Sequence, residues 1–170
     1  MNVFALPLTA YRLPLTQVMK YWLFKSEPAT YGIDHLARDQ VTAWTGVRNY
    51  QARNLMRDEM KAGDRGFFCH SSCEEPGIVG IVEIARAAYP DATQFNRKSQ
   101  YYDAGATKDN PRWFNVDLKF VSKTRAVGIP ELRSQKTLGK MQLLRRGNRL
   151  SITPVTSAER ECIMRLIERT

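Results

Sequence analysis

Segments with the composition of β-strands are spaced irregularly along this chain. Residues 113–121 alternate apolar and polar side chains, and residues 20–25 are rich in aromatic side chains on two alternating faces, which suits half-buried strands. Residues 78–84 are almost wholly apolar, as in a central strand. Further strands are predicted at 66–72 and 150–155, and helices at 33–39, 49–61, 130–140 and 158–168. Because the strands outnumber the helices and do not alternate with them regularly, the sequence predicts an α+β fold around a mixed, partly closed sheet.

One domain is expected from a chain of 170 residues, and we place it at residues 19–170. Residues 1–18 are apolar but have no basic start, and Pro7 and Pro14 interrupt them. A signal peptide is therefore not predicted, and these residues are interpreted as an N-terminal extension outside the fold. No apolar run is long enough to span a bilayer, so no membrane partner is expected.

The cysteines are few and odd in number: Cys69, Cys73 and Cys162. Such a set argues against a disulfide framework and indicates a reducing compartment, so a cytoplasmic location is predicted. Cys69, His70 and Cys73 could suggest zinc, but adjacent strand residues point to opposite faces and no fourth ligand is suitably spaced. No metal is predicted, and Cys69 is interpreted as a small packing residue.

Positive charge is concentrated in one segment. The chain has a net charge of +9, and residues 119–149 contain nine Lys or Arg side chains against the single acid Glu131. Concentrated basic charge is typical of a polyanion-binding surface. A solvated basic face that keeps the protein soluble is an equally good interpretation of the charge alone.

Familiar catalytic and cofactor motifs are absent from the sequence. There is no phosphate loop, dinucleotide fingerprint, His-Glu-x-x-His or Gly-x-Ser-x-Gly pattern, so no cofactor is predicted. Only two histidines occur, His35 and His70. His70 lies near the end of its predicted strand and is either a pocket-rim residue or a structural histidine.

Trp44 lies in a polar setting, in which neither a helix nor a strand obviously requires an aromatic ring. Bases stack on such rings for about 1–3 kcal/mol each, and a base pocket also needs hydrogen-bonding groups. Ser26, Asn49 and Ser71 could supply them. Equally, Trp44 could be a core residue that covers one end of the sheet.

The remaining aromatic residues have weaker functional signals. Trp22 and Trp113 lie in regular strand patterns, and core packing is favoured for both. Tyr101 and Tyr102 lie in a polar loop, where they could contact a nucleic acid or pack against the loop itself.

A basic stripe is predicted on the second helix, because Arg53, Arg57 and Lys61 recur every four residues. Such a stripe can follow phosphates, although alone it is more often a solvated face. With Arg48 and Arg149 it forms the predicted backbone-binding set.

Seven ordered motifs resemble the EVE domain family: Lys20-Tyr-Trp-Leu-Phe-Lys-Ser-Glu-Pro28, Trp44-Thr-Gly-Val-Arg-Asn49, Phe67-Phe-Cys-His-Ser71, Pro76-Gly-Ile-Val-Gly80, Tyr101-Tyr-Asp103, Asn110-Pro-Arg-Trp113 and Arg149-Leu-Ser-Ile-Thr-Pro-Val155. The resemblance implies a PUA-like fold, in which a bent sheet forms a partial barrel flanked by helices. It also implies a cleft that accepts a base, with a lining set, by position, of Ser26, Trp44, Asn49, His70 and Ser71.

The leading hypothesis is a non-enzymatic domain that binds DNA or RNA and recognises a nucleobase, expected to be a modified one, in an aromatic pocket. One rival comes from the related ASCH group, in which a Lys and a Glu hydrolyse an amide on a modified pyrimidine nucleoside. Lys25 and Glu27 would be the candidates here. A second rival is a protein-interaction domain whose basic face meets an acidic partner.

Overall fold

A computed structural model describes residues 18–169 of the protein. The N-terminal extension predicted at residues 1–18 therefore lies, except for its last residue, outside the described part. The strands are β1 (Tyr21–Ser26), β2 (Val41–Ala43), β3 (Arg65–His70), β4 (Gly77–Pro90), β5 (Phe114–Gly128) and β6 (Ile152–Val155). They form one sheet in the order β2-β5-β4-β3-β1-β6. Strands β1 and β3 pair in parallel and the other neighbours are antiparallel, so the sheet is mixed, as predicted.

Five short α-helices accompany the sheet: α1 (Pro28–Tyr31), α2 (Ile33–Asp39), α3 (Tyr50–Asn54), α4 (Ile129–Arg133) and α5 (Ser157–Ile167). A π-helical turn, Leu55–Glu59, directly follows α3, and a 3-10 turn occupies Ala92–Phe95. None of the helices between residues 18 and 169 has the length and apolar character needed to cross a membrane. The predicted α+β class is confirmed.

Strands β4 and β5 are much longer than the sequence predicts. Their outer halves, residues 85–90 of β4 and 122–128 of β5, each pair with the predicted part of the other strand and are mostly exposed or half-buried, so the apolar alternation that marks a strand is missing there. The register between them shifts at four places. Such bulges bend a strand pair and increase its twist, which gives the sheet its curvature.

Two apolar cores lie on opposite faces of the sheet, because successive residues of each strand point to opposite sides. Leu23 and Phe67 face the core that α4 and α5 cover, whereas Phe24 and Phe68 face the core that α2 and α3 cover. All four side chains are almost completely buried. Burial of such a side chain contributes about 1.5–3 kcal/mol, so the two cores hold the ends of β1 and β3 rigidly.

Trp22 packs in the core, as predicted, and its indole is held by a buried acid. Its Nε1 donates a hydrogen bond to Oδ2 of Asp64 over 3.0 Å. The same carboxylate accepts hydrogen bonds from the backbone N–H groups of Lys20 and Lys61. Asp64 thereby joins the start of β1 to the turn before β3.

Candidate functional site

A cavity of about 780 Å³ opens where β1 ends. Its walls come from the end of β1 and helix α1, from the loop after β2, from the loop around residue 100, and from Ser151 before β6. The lining residues are Lys25, Ser26, Glu27, Thr30, Tyr31, Thr42, Ala43, Trp44, Thr45, Gly46, Val47, Arg48, Asn49, Gln100, Tyr101 and Ser151. Of the five residues predicted for a base pocket, Ser26, Trp44 and Asn49 line this cavity, and His70 and Ser71 do not.

Trp44 lies at the boundary between the core and the cavity. Its ring meets the rings of Phe24 and Phe68 edge to face, with centroids 5.7 Å apart in each case. It therefore covers one end of the core and also forms a wall of the cavity. Its backbone N–H donates to the carbonyl of Val116, which fixes the loop to β5.

Tyr101 lines the same cavity from the loop around residue 100. Its ring lies directly against Gly46, where a Cβ atom would come within 2.6 Å of the ring Cζ. Gly46 also has a φ angle of +80°, which side-chain-bearing residues rarely adopt. Gly46 thus permits both the turn in the Trp44 loop, residues 44–49, and the close approach of Tyr101.

Replacement of Gly46 by alanine should displace Tyr101 as well as strain the backbone. We expect G46A to lose about 1–2 kcal/mol of folding free energy from backbone strain, because the left-handed conformation disfavours a Cβ atom. The matched control is Gly63→Ala, since Gly63 has a φ of +90° but no atom within 4 Å of the added carbon. Chemical denaturation should show a larger loss for G46A than for G63A, and equal losses would contradict the contact.

Arg48 joins the two loops that form the cavity. Its guanidinium makes five hydrogen bonds, to the carboxylate of Asp91, the hydroxyl of Thr93, the carbonyl of Val47 and, twice, the carbonyl of Tyr101. These use all five of its N–H donors. The predicted phosphate contact would require breaking this network, so the structure gives Arg48 a positioning role.

Asp91 is the buried partner in this network, with no solvent-exposed surface. It accepts hydrogen bonds from Arg48 Nη1 and the Gly46 N–H, both at 2.9 Å, and from the N–H and hydroxyl of Thr93. Burial opposes ionisation, but the hydrogen bonds from Thr93, Gly46 and Arg48 outweigh it and lower the pKa of Asp91. The ionised carboxylate thus ties the Trp44 loop to the segment after β4.

The two histidines support the turn between α1 and α2. Nε2 of His70 accepts the backbone N–H of Ile33 over 3.1 Å, and Nδ1 of His35 accepts that of Gly32 over 2.9 Å. Ser71 donates through its backbone N–H to the carbonyl of Ser26. His70 and Ser71 therefore lie behind the wall of the cavity, and the structural role is the one the geometry favours for His70.

Stability should fall as the pH drops through the range in which His70 titrates. Burial lowers the pKa of His70 from its usual 6.5, opposed by the nearby Asp34 and reinforced by Lys123. The unfolded chain therefore binds a proton more readily than the folded one, and stability is lost as the pH falls below about 6.5. Thermal unfolding between weakly acidic and neutral pH should show this loss in the native protein and a smaller one in His70→Gln, which cannot titrate. Parallel pH profiles would contradict the assignment.

The basic stripe predicted on one helix does not form. Helix α3 ends at Asn54, the π-helical turn ends at Glu59, and Lys61 lies beyond both. The prediction that these three side chains form one stripe on a single α-helix is wrong. The chain between them makes a π-helical turn, which takes more residues than an α-helical one. Arg53 donates to Asn54 and to the carbonyl of Arg112, and Arg57 pairs with Asp58. Exposed pairs of this kind contribute about 0–1 kcal/mol, so Arg57 can exchange its partner at little cost.

The basic segment, residues 119–149, is only partly neutralised by neighbouring acids. Lys123 pairs with Asp34, and Arg125 pairs with Glu131. Seven further cations of this segment are exposed and have no ion-pair partner between residues 18 and 169: Lys119, Arg133, Lys136, Lys140, Arg145, Arg146 and Arg149.

The end of this segment reaches the cavity. Lys25, which lines the cavity, donates through Nζ to the carbonyl of Asn148 over 3.4 Å, and through its backbone N–H to the carbonyl of Ser151. Arg149 lies between these two residues and is exposed. Positive charge is therefore continuous with one side of the cavity.

Cys69 lies in the core, and burial raises the pKa of its thiol to about 12. A thiol that remains protonated is a poor metal ligand and a poor nucleophile. Within residues 18–169 no cluster of three or more His, Cys, Asp or Glu side chains could hold a metal ion. Cys69 is thus a packing residue.

Comparison with known proteins places these features in a family context. The model of the EVE domain family matches residues 20–166. Thymocyte nuclear protein 1 of Gallus gallus is 43% identical over 168 residues, which cover 87% of this chain and 69% of that protein.

Solved structures with the same fold are also similar in sequence. A Pseudomonas putida protein is 47% identical, with a TM-score of 0.83 over 86% of this chain and 98% of that one. Human THYN1 protein, crystallised in complex with DNA containing 5-methylcytosine, is 40% identical, with a TM-score of 0.82 over 89% of this chain and 99% of that one.

Proposed function

The chain belongs to the EVE domain family, and on that premise we propose that it binds nucleic acid and holds one modified nucleobase in the cavity beside Trp44. The observation that carries the proposal is an open cavity with three aromatic residues, Tyr31, Trp44 and Tyr101, in its lining. A human relative was crystallised with DNA containing 5-methylcytosine, which supports a methylated cytosine as the first base to test. A base that leaves its stack needs an aromatic face to replace the lost contacts, and each such contact contributes about 1–3 kcal/mol.

Polar groups in the cavity wall are suited to the edge of a base. The Oδ1 atom of Asn49 caps α3 by accepting the N–H of Ala52 over 3.0 Å, which orients the amide and leaves its NH₂ group as a donor. The hydroxyl of Ser26 donates to the carbonyl of Tyr31, so its oxygen is left as an acceptor. The carboxylate of Glu27, which also lines the cavity, can accept from an exocyclic amino group.

Cations around the cavity are proposed to contact the phosphates on either side of the bound base. Arg149 is next to the wall formed by Lys25 and Ser151, and Arg53 and Arg57 follow the lining residue Asn49 along the chain. Lys61, beyond the π-helical turn, is a further exposed cation. Neutralising phosphates releases counterions, so the affinity should fall steeply with salt.

The proposal is tested by binding the purified protein to matched labelled oligonucleotides with cytosine, 5-methylcytosine or 5-hydroxymethylcytosine at one position. DNA and RNA, single-stranded and duplex, are compared across a salt series. We expect salt-sensitive binding to all of them and an added preference for one modification. Equal affinity for every base would limit the function to a basic surface, and no binding at low salt would refute nucleic-acid binding.

No reaction is part of this proposal, but one enzymatic candidate has a structural basis. Lys25 and Glu27 both line the cavity, as an amidohydrolase acting on an acylated pyrimidine nucleoside would require. Against it, the Nζ atom of Lys25 is already hydrogen-bonded to the carbonyl of Asn148. Incubation with N4-acetylcytidine should release no cytidine above the level of a Lys25→Met control. Turnover that this substitution abolishes would favour the enzyme.

A further inference from the structure

Exposed aromatic side chains are concentrated beside the cavity. Between residues 18 and 169, the exposed large hydrophobic side chains are Val18, Met19, Val41, Tyr50 and Tyr102, and only the last two are aromatic. Tyr50 follows Asn49 and Tyr102 follows Tyr101, and both preceding residues line the cavity. An aromatic side chain that stays exposed forgoes the free energy of burial. Two such side chains at one site therefore indicate a surface that binds a partner.

Tyr50 is more exposed than Tyr102 and is also held in place. Its ring is 55% exposed, against 38% for Tyr102. It stacks on the buried ring of Trp113, with centroids 4.9 Å apart and planes inclined by 28°. Trp113 is fixed in turn by a hydrogen bond of 2.7 Å from Nε1 to Asp103. Tyr50 is therefore positioned in advance and loses little side-chain entropy when a partner stacks on it.

Positive charge accompanies this ring. The guanidinium of Arg53 lies 4.8 Å from the ring centroid of Tyr50 and 6.0 Å from that of Trp113. Its hydrogen bonds go to the exposed Asn54 side chain and to the carbonyl of Arg112, so the group is free of any carboxylate in the described chain. Unstacked bases bind to aromatic rings and to guanidinium planes alike, and phosphates bind to the same cation.

Tyr50 directly follows Asn49 in the chain, and Asn49 lines the cavity. Because the Cα atoms of consecutive residues are about 3.8 Å apart, a nucleotide adjacent to a base held against Asn49 is within reach of the Tyr50 side chain. No such continuation exists for a free nucleoside, which would end at the cavity.

We propose that Tyr50, with the guanidinium of Arg53, stacks the base next to the one held in the cavity, so that the site binds two successive nucleotides of an unpaired strand. This rests on the proposed function and extends it. The ligand class is thus a single-stranded segment or a locally opened duplex, and the flanking contact is tolerant of sequence, because every base has a π face.

The test uses short single-stranded DNA with one central 5-methylcytosine and, in two further versions, an abasic site on its 5′ or its 3′ side. For the native protein, one of the two abasic versions should bind about tenfold more weakly, which is the size expected for one lost stack. Tyr50→Ala should bind the strand that has no abasic site as weakly as the native protein binds the sensitive abasic version. The affinity of this variant should not fall further when the strand carries that abasic site. Tyr50→Phe should restore native behaviour, since it keeps the ring.

Tyr102→Ala is the matched control. It should keep the full abasic penalty, which is the loss of affinity caused by the sensitive abasic site. If Y50A keeps the penalty, or if only Y102A removes it, the Tyr50 assignment is overturned. If the native protein prefers 5-methylcytosine but no abasic neighbour weakens binding, this inference fails while the base-binding function stands. If the native protein distinguishes neither 5-methylcytosine nor 5-hydroxymethylcytosine from cytosine, the proposed function fails as well.

Discussion

Trp44→Ala is expected to abolish the preference for a modified base while leaving salt-dependent binding in place. The ring supplies a wall of the cavity, and loss of one stacking contact removes about 1–3 kcal/mol, which corresponds to a complex about 5- to 150-fold weaker. The exposed cations of the basic segment are unchanged, so the residual affinity should fall with salt as in the native protein. The measurement is the ratio of dissociation constants for oligonucleotides that differ only in the methyl group.

Stability must be separated from binding in this experiment, because Trp44 also packs on Phe24 and Phe68. Phe120→Ala is the matched control, since Phe120 is partly buried against the same core but does not line the cavity. It should lower the melting temperature and keep the selectivity. A Trp44→Ala protein that still distinguishes methylated from unmethylated strands would show that the base binds elsewhere.

Asp91→Ala should be the most destabilising single change near the cavity. It leaves the guanidinium of Arg48, whose side chain is only 21% exposed, without its carboxylate, and it removes the acceptor of the Gly46 N–H. Breaking a buried pair by removing one partner costs about 3–5 kcal/mol. Because the pair joins the Trp44 loop to the Tyr101 loop, modified-base binding should weaken as well. Urea unfolding and the same binding ratio measure the two effects.

Glu131→Gln provides the comparison for an exposed pair. Arg125 contacts Glu131 through two hydrogen bonds at the surface, where an ion pair contributes about 0–1 kcal/mol. The variant should unfold almost like the native protein. Asp91→Ala and Glu131→Gln with equal, small losses would contradict the structural importance assigned to the buried pair.

The sequence predicts those parts of the fold in which burial leaves a periodic pattern. Strands β1, β3 and β6 were located to within two residues, since their side chains alternate between two apolar cores. The outer halves of β4 and β5 were missed because they are exposed and carry no such pattern. Strand β2 was missed because it has only three residues at the sheet edge.

The site was predicted where its residues lie in loops with an unusual composition. Trp44 and Asn49 stood out as an aromatic ring and an amide in a polar segment, and both line the cavity. His70 is paired in register with Ser26, but its ring faces the turn between α1 and α2, a direction that alternation alone does not give. No local sequence pattern marks Asp91, because the arginine that pairs with it is 43 positions away.

Photo-cross-linking tests the central claim most directly. A single-stranded oligonucleotide with 5-iodocytosine in place of the modified base is bound, irradiated and digested, and the linked peptide is identified by mass spectrometry. Iodine occupies the position of the methyl group, so the link reports which residue contacts that part of the base. A link to Trp44 or Tyr101, the aromatic residues proposed to enclose the base, is the predicted result. Links confined to residues 119–149 would contradict it and leave only a basic surface.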